Sequence, residues 1–454
     1  MWSSAFLAEE CAAKVSGPEQ NFTSVSTDSR TVQAGALYVA LSGENFDGHR
    51  FVAQAIAEGA VGVLVSQPVE CDSKTTVLQV SDTLKALQDM AHASRLNFDG
   101  PVIAVTGSNG KTTTKEMIAS VLREQYGVDA VLSTVGNLNN HIGVPLTLLA
   151  RKPSHRVAVI EMGMNHFGEI ALLTKLAEPT IAVITNAGPA HLEGVGSMEG
   201  VAEAKGEIFA GLRDGGVAVI NADDAFAVYW RVLAHRHEQL TFGFQPHANV
   251  TGYFEPPGRL TVQLDSDVAD GFLVLLAQAG EHNAMNALAT AAVARALDVD
   301  TKCIERGLRT ARNVGGRLAT RPFVNGTTLI DDSYNANPAS MRAAAQVLVS
   351  HATPRFLAIG DMGELGDASD ELHDALLFDL SALPLDGVFA LGPRMKRAAS
   401  SLGSRGQAFD DVESLASTLF NRLTPGATLL VKGSRSMAME RVIEKLENMS
   451  RGTY

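Results

Sequence analysis

The stretch TGSNGKTTTK, Thr106 to Lys115, combines small residues with a Gly-Lys-Thr core, the make-up of a phosphate cradle. Gly107 and Gly110 allow close backbone approach. The N–H groups from Ser108 to Lys111 are expected to face an anion at a helix N-terminus, where the dipole adds to the attraction. Lys111 can reach β- and γ-phosphates and the Thr112 hydroxyl can hold Mg²⁺; Asn109 and Thr113 complete the expected nucleotide-binding set. The spacing is unusual, because the general loop G-x-x-x-x-G-K-[ST] has a glycine where this chain has Val105.

Other residues with chemical potential follow apolar strands. Glu161 ends VAVIE, on the edge where ligands bind in an open α/β sheet, so its carboxylate could share the metal that Thr112 touches. His191 lies in the loop after IAVIT, and Lys205 on the helix beyond it. By residue type alone these two read as a structural histidine and a solvated lysine. LIDDSYNANPASM ends a strand in two acids and runs through polar residues to Pro338 at a helix start; a turn and a polar pocket for sugar or amide groups both fit. LVKGSRSMAMERV puts Lys432, Ser434 and Arg435 at an expected helix N-terminus, a site suited to anions. AIGDMGELG lacks the G-x-G-x-x-G spacing of a dinucleotide loop and reads as a weak glycine pattern. His235 and His237 have no acid or cysteine companion and read as surface.

Holding such residues together takes a large fold. At 454 residues the chain exceeds what one core usually serves, and 46% apolar with 19% charged residues describes a globular protein. Short strands (GALYVAL, VGVLVS) mark a small α/β unit over residues 1–97, with LNFDGP as its linker. From Val102 apolar strands alternate with helices, implying a parallel sheet covered on both faces over 98–313, with a β-like stretch near 240–280. A second series (TTLIDD, RFLAIGD, GVFALG, TLLVKG) implies a Rossmann-like α/β unit over 314–454. The net charge of −13, without a basic run, argues against nucleic-acid partners, so an anionic substrate must be met by a few placed groups. Three scattered cysteines, a start interrupted by Glu9 and Glu10, and no long apolar run fit a cytoplasmic protein without membrane spans. No heptad demands a partner, and a monomer is expected.

In this order the motifs resemble those of the Mur ligase family, the ATP-dependent amide-forming enzymes of peptidoglycan precursor synthesis, across essentially the whole chain. TGSNGKTTTK is similar to the family's ATP loop, which has the shorter glycine spacing; IEMG, AHLE, EAKGEIF and HNAMNALA also look like family motifs. GNLNNHIGVPLTLL (136–149) and DDSYNANP resemble the branch that joins D-alanyl-D-alanine to a UDP-N-acetylmuramoyl tripeptide through an acyl phosphate. STDSRTVQAGALYVALSGENFDGH resembles that branch's UDP-sugar domain.

The resemblance implies that Lys111, Glu161, His191 and Lys205 are catalytic. Thr112 and Glu161 would hold a first Mg²⁺. His191 would hold a second, assisted by Lys205 as a CO₂-derived carbamate. Gly107 to Thr113, Asn283, Arg317, Asp332 and Asn335 would bind ATP. Tyr334, Asn337, Lys432 and Ser434 would meet the dipeptide. Asp28, Ser29, Arg30, Asn45, Phe46, Asp47 and His49 would meet the UDP moiety, and Asn139 and Asn140 the sugar–peptide part. The third domain would close over the site. A Mur ligase adding one amino acid, a folylpolyglutamate synthase-like ligase and a slow regulatory ATPase are the rival readings; DDSYNANP argues against the first two.

Overall fold

The strand Val102–Thr106 is buried along its whole length. Val102 and Ala104 face one apolar cluster, and Ile103 and Val105 face another. Alternate side chains thus enter opposite cores, which is why the sequence shows an unbroken apolar run. The computed structural model describes residues 2–44, 46–256, 258–264, 271–278, 280–311 and 315–452. In it this strand is third in a nine-stranded sheet ordered Val131–Ser133, Val157–Glu161, Val102–Thr106, Ile181–Ile184, Val217–Asn221, Glu238–Gly243, Val250–Glu255, Arg259–Gln263 and Gly271–Leu275. Pairing is parallel as far as Val250–Glu255 and antiparallel beyond. The expected parallel sheet is therefore extended by an antiparallel edge.

Chain order reverses around Val102–Thr106. The chain leaves it for the edge strand, returns to Val157–Glu161 on one side and crosses to Ile181–Ile184 on the other. Such a switch opens a crevice at the carboxyl ends of the strands. Register sets Glu161 opposite Val105 and Ile184 opposite Thr106, so the segments that follow these strands emerge side by side.

The first unit has a five-stranded sheet ordered Lys14–Ser16, Thr76–Gln79, Ala60–Val65, Ala36–Val39 and Val25–Ser26. One of its faces keeps its own cluster around Tyr38, Val52 and Val63. The other contributes Leu37 and Leu64, joined by Phe22 of the short strand Asn21–Phe22 and by Met90 of the following helix, to a buried cluster continuous with Leu148, Ile160 and Leu173 of the central unit. The helix Thr83–Leu96, started by the Asp82 cap, packs on the helices Gly143–Leu149 and Glu169–Ala177. Arg95 near its end is 1% exposed. Its guanidinium donates to the carbonyls of Ala177 (2.6 Å), Glu178 (2.8 Å) and Phe98 (2.7 Å). It thereby caps the C-terminus of Glu169–Ala177, where a cation is favoured, and burial lowers its pKa to about 10. The stretch Leu96–Pro101, read as a linker, is pinned by this contact.

The third unit is a six-stranded sheet ordered Ala319–Pro322, Thr328–Asp332, Thr428–Lys432, Arg355–Gly360, Gly387–Leu391 and Gly406–Phe409, parallel except at the first pair. The first and last of these strands are additions to the four expected. The boundary expected near 313 falls outside the described residues. Among the described residues no helix is long and apolar enough to cross a membrane.

Replacing Arg95 by methionine strands the carbonyls of Phe98, Ala177 and Glu178 in an apolar setting. We expect a loss of about 3 kcal/mol, measured as a lower urea midpoint that Arg95→Lys restores only in part. An unchanged midpoint would show that the two units do not depend on this pin.

Candidate active site

The helix Lys111–Tyr126 begins at Gly110 (φ 79°) with no side-chain cap. Its first-turn N–H groups are consequently open to a ligand. The loop before it is tied down elsewhere. Ser108 N donates to Asn186 O (3.0 Å), Asn109 N to Asn186 Oδ1 (2.9 Å), and Thr185 Oγ1 to Asn109 O (2.7 Å). The expectation that N–H groups from Ser108 onward face an anion is corrected by these bonds. Ser108 and Asn109 spend theirs on Asn186, so the open donors start at Gly110. Both glycines are sterically required. A Cβ on Gly107 (φ 152°) would stand 1.8 Å from Thr185 Oγ1, and one on Gly110 2.3 Å from Asn286 Oδ1. The glycine missing at Val105 costs nothing, because that residue is a buried strand position and the turn begins after it.

Thr112 Oγ1 and Glu161 Oε2 are buried oxygens with no hydrogen-bond partner among the described residues. The other Glu161 oxygen accepts from Asn139 Nδ2 at 2.8 Å, and Asn139 O accepts from Gly163 N. Orphaned hydroxyl and carboxylate oxygens at the phosphate loop fit a hard cation. No group of three or more His, Cys, Asp or Glu able to hold a metal occurs among the described residues. The two orphaned oxygens suit Mg²⁺, which keeps its waters and takes one or two protein oxygens plus phosphates. Asn139, expected at the sugar–peptide part, is instead committed to Glu161. Asn140 lines the same cavity, but its side chain caps the N–H groups of Ile142 and Gly143.

Three basic groups lie within one another's field, and Lys111 also feels the Glu161 charge. Lys111 Nζ folds back on Gly107 O (2.6 Å), and burial lowers its pKa. Lys205 is 1% exposed, and burial and then the Lys111 charge push it well below the ordinary lysine value. Beyond burial, the charge that acts on it is that of Lys111, with no carboxylate opposing it among the described residues. His191, held at φ 59°, is lowered by burial against the opposing pull of Glu364. The solvated reading of Lys205 is thus corrected: the helix Met198–Gly206 turns that face inward.

The third unit forms the opposite wall of a cavity of about 860 Å³ lined by residues of both units. Asn337, which caps the helix Pro338–Val349, donates from Nδ2 to Asn109 Oδ1 at 2.8 Å. Glu364 Oε2 stands 2.6 Å from His191 Nδ1, and Glu193 N reaches Glu364 O at 3.4 Å. Lys432 is 3% exposed and paired with Asp332 (2.6 Å), with a bond to Asn335 O (2.8 Å). Burial raises the Asp332 pKa against the pull of Lys432. Lys432 is therefore spent on the wall and is not a free anion site. The helix N-terminus expected at Ser434 is a short 3₁₀ turn, Arg435–Met437, and the helix begins at Glu440 after the left-handed Ala438 (φ 46°). Arg317 packs over the Tyr334 ring at 4.3 Å.

The cavity also gathers Asn283 and Asn286 from the first two turns of Glu281–Ala296. Asn286, which accepts from Thr114 Oγ1 at 3.2 Å, was not anticipated, although it lies three residues beyond Asn283 on the same helix face. Asn186 and Glu364 were missed as well. The first sits just past a strand end, and the second lies in AIGDMGELG, where only glycine spacing was weighed. His282 lines the cavity with Nε2 unpartnered among the described residues, and burial brings its pKa to about 4.

The expected UDP residues lie outside this cavity. Asp28 and Arg30 form an exposed ion pair at 2.7 Å, and Ser29 Oγ bonds Gln54. Asp47, His49 and Ser66 make a chain of hydrogen bonds, while Phe46 stacks on Phe51 at 5.5 Å with both rings exposed. Asn45 lies outside the described residues.

Models of known families match three segments: "Mur ligase family, catalytic domain" over 21–95, "Mur ligase middle domain" over 105–294 and "Mur ligase, glutamate ligase domain" over 316–435. The chain is 39% identical over 453 residues to UDP-N-acetylmuramoyl-tripeptide–D-alanyl-D-alanine ligase of Escherichia coli (strain K12), covering 97% of each chain. A crystal structure of MurF from Acinetobacter baumannii superposes with a TM-score of 0.89 at 37% identity, covering 98% of this chain and 99% of that one. The MurF ligase from Thermotoga maritima in complex with ADP gives 0.80 at 29% identity, covering 95% and 98%.

Asn139→Ala releases the Glu161 carboxylate without touching it chemically. The Mg²⁺ concentration for half-maximal nucleotide turnover should rise about tenfold or more, as followed by phosphate release in a Mg²⁺ titration. An unchanged titration would separate Asn139 from the metal.

Proposed function

The chain belongs to the Mur ligase family, and from that footing we propose that it joins D-alanyl-D-alanine to UDP-N-acetylmuramoyl-tripeptide, consuming ATP and releasing ADP and phosphate. What carries the reading is full-length similarity to ligases of that name, joined to a cavity lined by the phosphate loop, Glu161 and His191, with Lys205 buried within the field of Lys111 and His191. The product is the UDP-muramoyl pentapeptide, and the reaction belongs in the cytoplasm beside its nucleotide substrates.

A peptide carboxylate is a poor electrophile, so phosphorylation to an acyl phosphate precedes attack by the dipeptide amine, with phosphate as the leaving group. The first step brings two anions together. The open N–H groups from Gly110 and the Lys111 charge hold the phosphates. Mg²⁺, when bound, supplies charge that offsets the remaining repulsion; Thr112 and Glu161 would hold one ion, and His191 with a carbamylated Lys205 a second. Burial, and then the Lys111 charge, lower the Lys205 pKa and so favour its uncharged, nucleophilic amine form. Its addition to CO₂ with loss of a proton replaces a buried amine by an anion that Lys111 attracts. The third unit, with Asn337 on the loop and Glu364 on His191, keeps water from the acyl phosphate. Asn283, Arg317, Asp332 and Asn335 face the nucleotide in this reading. Asp28, Ser29, Arg30, Asn45, Phe46, Asp47 and His49 receive the UDP end at a distance, and the tripeptide reaches into the cavity past Asn140.

Phosphate release from ATP with UDP-muramoyl tripeptide should depend strongly on added D-alanyl-D-alanine. Turnover indifferent to the dipeptide would favour a slow regulatory ATPase instead. Lys205→Ala should be inactive and regain part of its rate with millimolar short-chain carboxylic acids, which place a carboxylate where the carbamate would stand. Full activity of the unrescued variant would remove Lys205 from the reaction.

A further inference from the structure

Resting on the dipeptide-ligase reading, we infer that Arg435 reads the terminal carboxylate of the incoming dipeptide and so sets the length of acceptor that the enzyme accepts. The incoming molecule has a nucleophilic amine at one end and a carboxylate at the other. In an extended dipeptide the two are about 7 Å apart; in a single amino acid they are separated by about half that. A fixed cation at the right remove from the reacting centre therefore discriminates between them.

Among the described residues, four lysine and arginine side chains line the cavity: Lys111, Arg317, Lys432 and Arg435. Lys111 sits on the phosphate loop. Arg317 lies within the field of both Lys111 and Asp332, on the nucleotide side. Lys432 is buried and occupied by Asp332 and Asn335. Arg435 alone among these is exposed, with its side chain 62% accessible. It lies beside Tyr334, its guanidinium carbon 5.8 Å from the ring centroid that Arg317 also covers.

The backbone presents Arg435 firmly. Its N–H donates to Asn335 Oδ1 at 3.3 Å, and Ser434 N to Asp361 O at 3.0 Å. Nη1 donates to Glu440 Oε1 at 2.8 Å, which orients the guanidinium plane. The Nε and Nη2 edge takes no acceptor among the described residues. That edge has the two parallel donors that grip a carboxylate bidentately. Ser434 and Ser436, whose hydroxyls lie 3.0 Å apart, flank it on the same wall and can hydrogen-bond the peptide group. Because Arg435 rides on the closing unit, dipeptide capture and closure engage together.

The test compares D-alanyl-D-alanine with its C-terminal amide in steady-state phosphate release, with ATP and UDP-muramoyl tripeptide saturating. For the wild-type protein, the KM for the amide should exceed that for the acid roughly ten- to a hundredfold. In Arg435→Ala the acid should fall to the level of the amide, with kcat within a few-fold and KM for ATP and the UDP substrate unchanged. Arg435→Lys, which keeps the charge and loses the fork, should recover part of the discrimination. An Arg435→Ala enzyme that still prefers the acid by the wild-type factor, or that loses acid and amide equally, overturns the assignment while leaving the ligase reading intact. Absence of any dipeptide-dependent phosphate release by the wild-type protein overturns that reading, and this inference with it.

Discussion

An uncapped helix N-terminus at a strand-order switch is the constraint on which the site depends. Helix starts are normally closed by a side chain that accepts the orphan N–H groups. At Gly110 no side chain does so, and the donors point at the crevice between Val157–Glu161 and Ile181–Ile184. Keeping such an end open requires that the loop be held by something else. Asn186 and Thr185 do this from the neighbouring strand end, and Asn286 does it from the helix across. Those contacts leave no room for a Cβ at Gly107 or Gly110. The glycines are thus set by packing against Thr185 and Asn286 as much as by the approach of a phosphate.

The electrostatics follow from the same openness. Lys111, Lys205 and His191 are buried within one another's field, and burial lowers the pKa of all three. Glu161 and Glu364 offset the repulsion only in part. Burial disfavours the charged forms of these groups, and an entering anion would offset that cost more strongly than it would at exposed sites. The chain as a whole is acidic, so attraction is confined to this cavity. Selectivity for a polyanion arises from a few desolvated groups and not from the global field.

Much of this was legible in the sequence, and the failures share a cause. Strand ends announce themselves, so the loop, Glu161, His191 and the stretch from Asp332 to Asn337 could be read from apolar runs followed by polar residues. What could not be read was which partner each polar group would choose. Asn139 looks like a ligand-facing asparagine, yet it is committed to Glu161. Lys432 looks like a free cation, yet it neutralises Asp332. Lys205 sits on a short helix whose composition does not reveal its buried face. Glu364 was invisible because its contact with His191 joins units far apart in sequence. Pairings across long sequence separation need coordinates, whereas placement at a sheet edge needs only periodicity.

The three units are coupled unequally, and the inequality matches the work each must do. The first shares a continuous apolar core with the central unit and is further held by Arg95. Apolar burial of that kind is non-directional and hard to reverse, which suits a module that fixes one end of a long substrate. The third unit meets the active-site loop and His191 through polar contacts, Asn337 to Asn109 and Glu364 to His191, each between groups that water can serve almost as well. Exchanging such contacts for water costs less net free energy than parting an apolar core, as the proposed closure of this wall over the site requires. A moving wall must then carry whatever enters last. Arg435, Ser434 and Tyr334 sit on that wall, and the phosphate loop and Glu161 do not. The physical division between an apolar and a polar junction therefore matches the proposed division between a substrate held throughout and an acceptor admitted at closure.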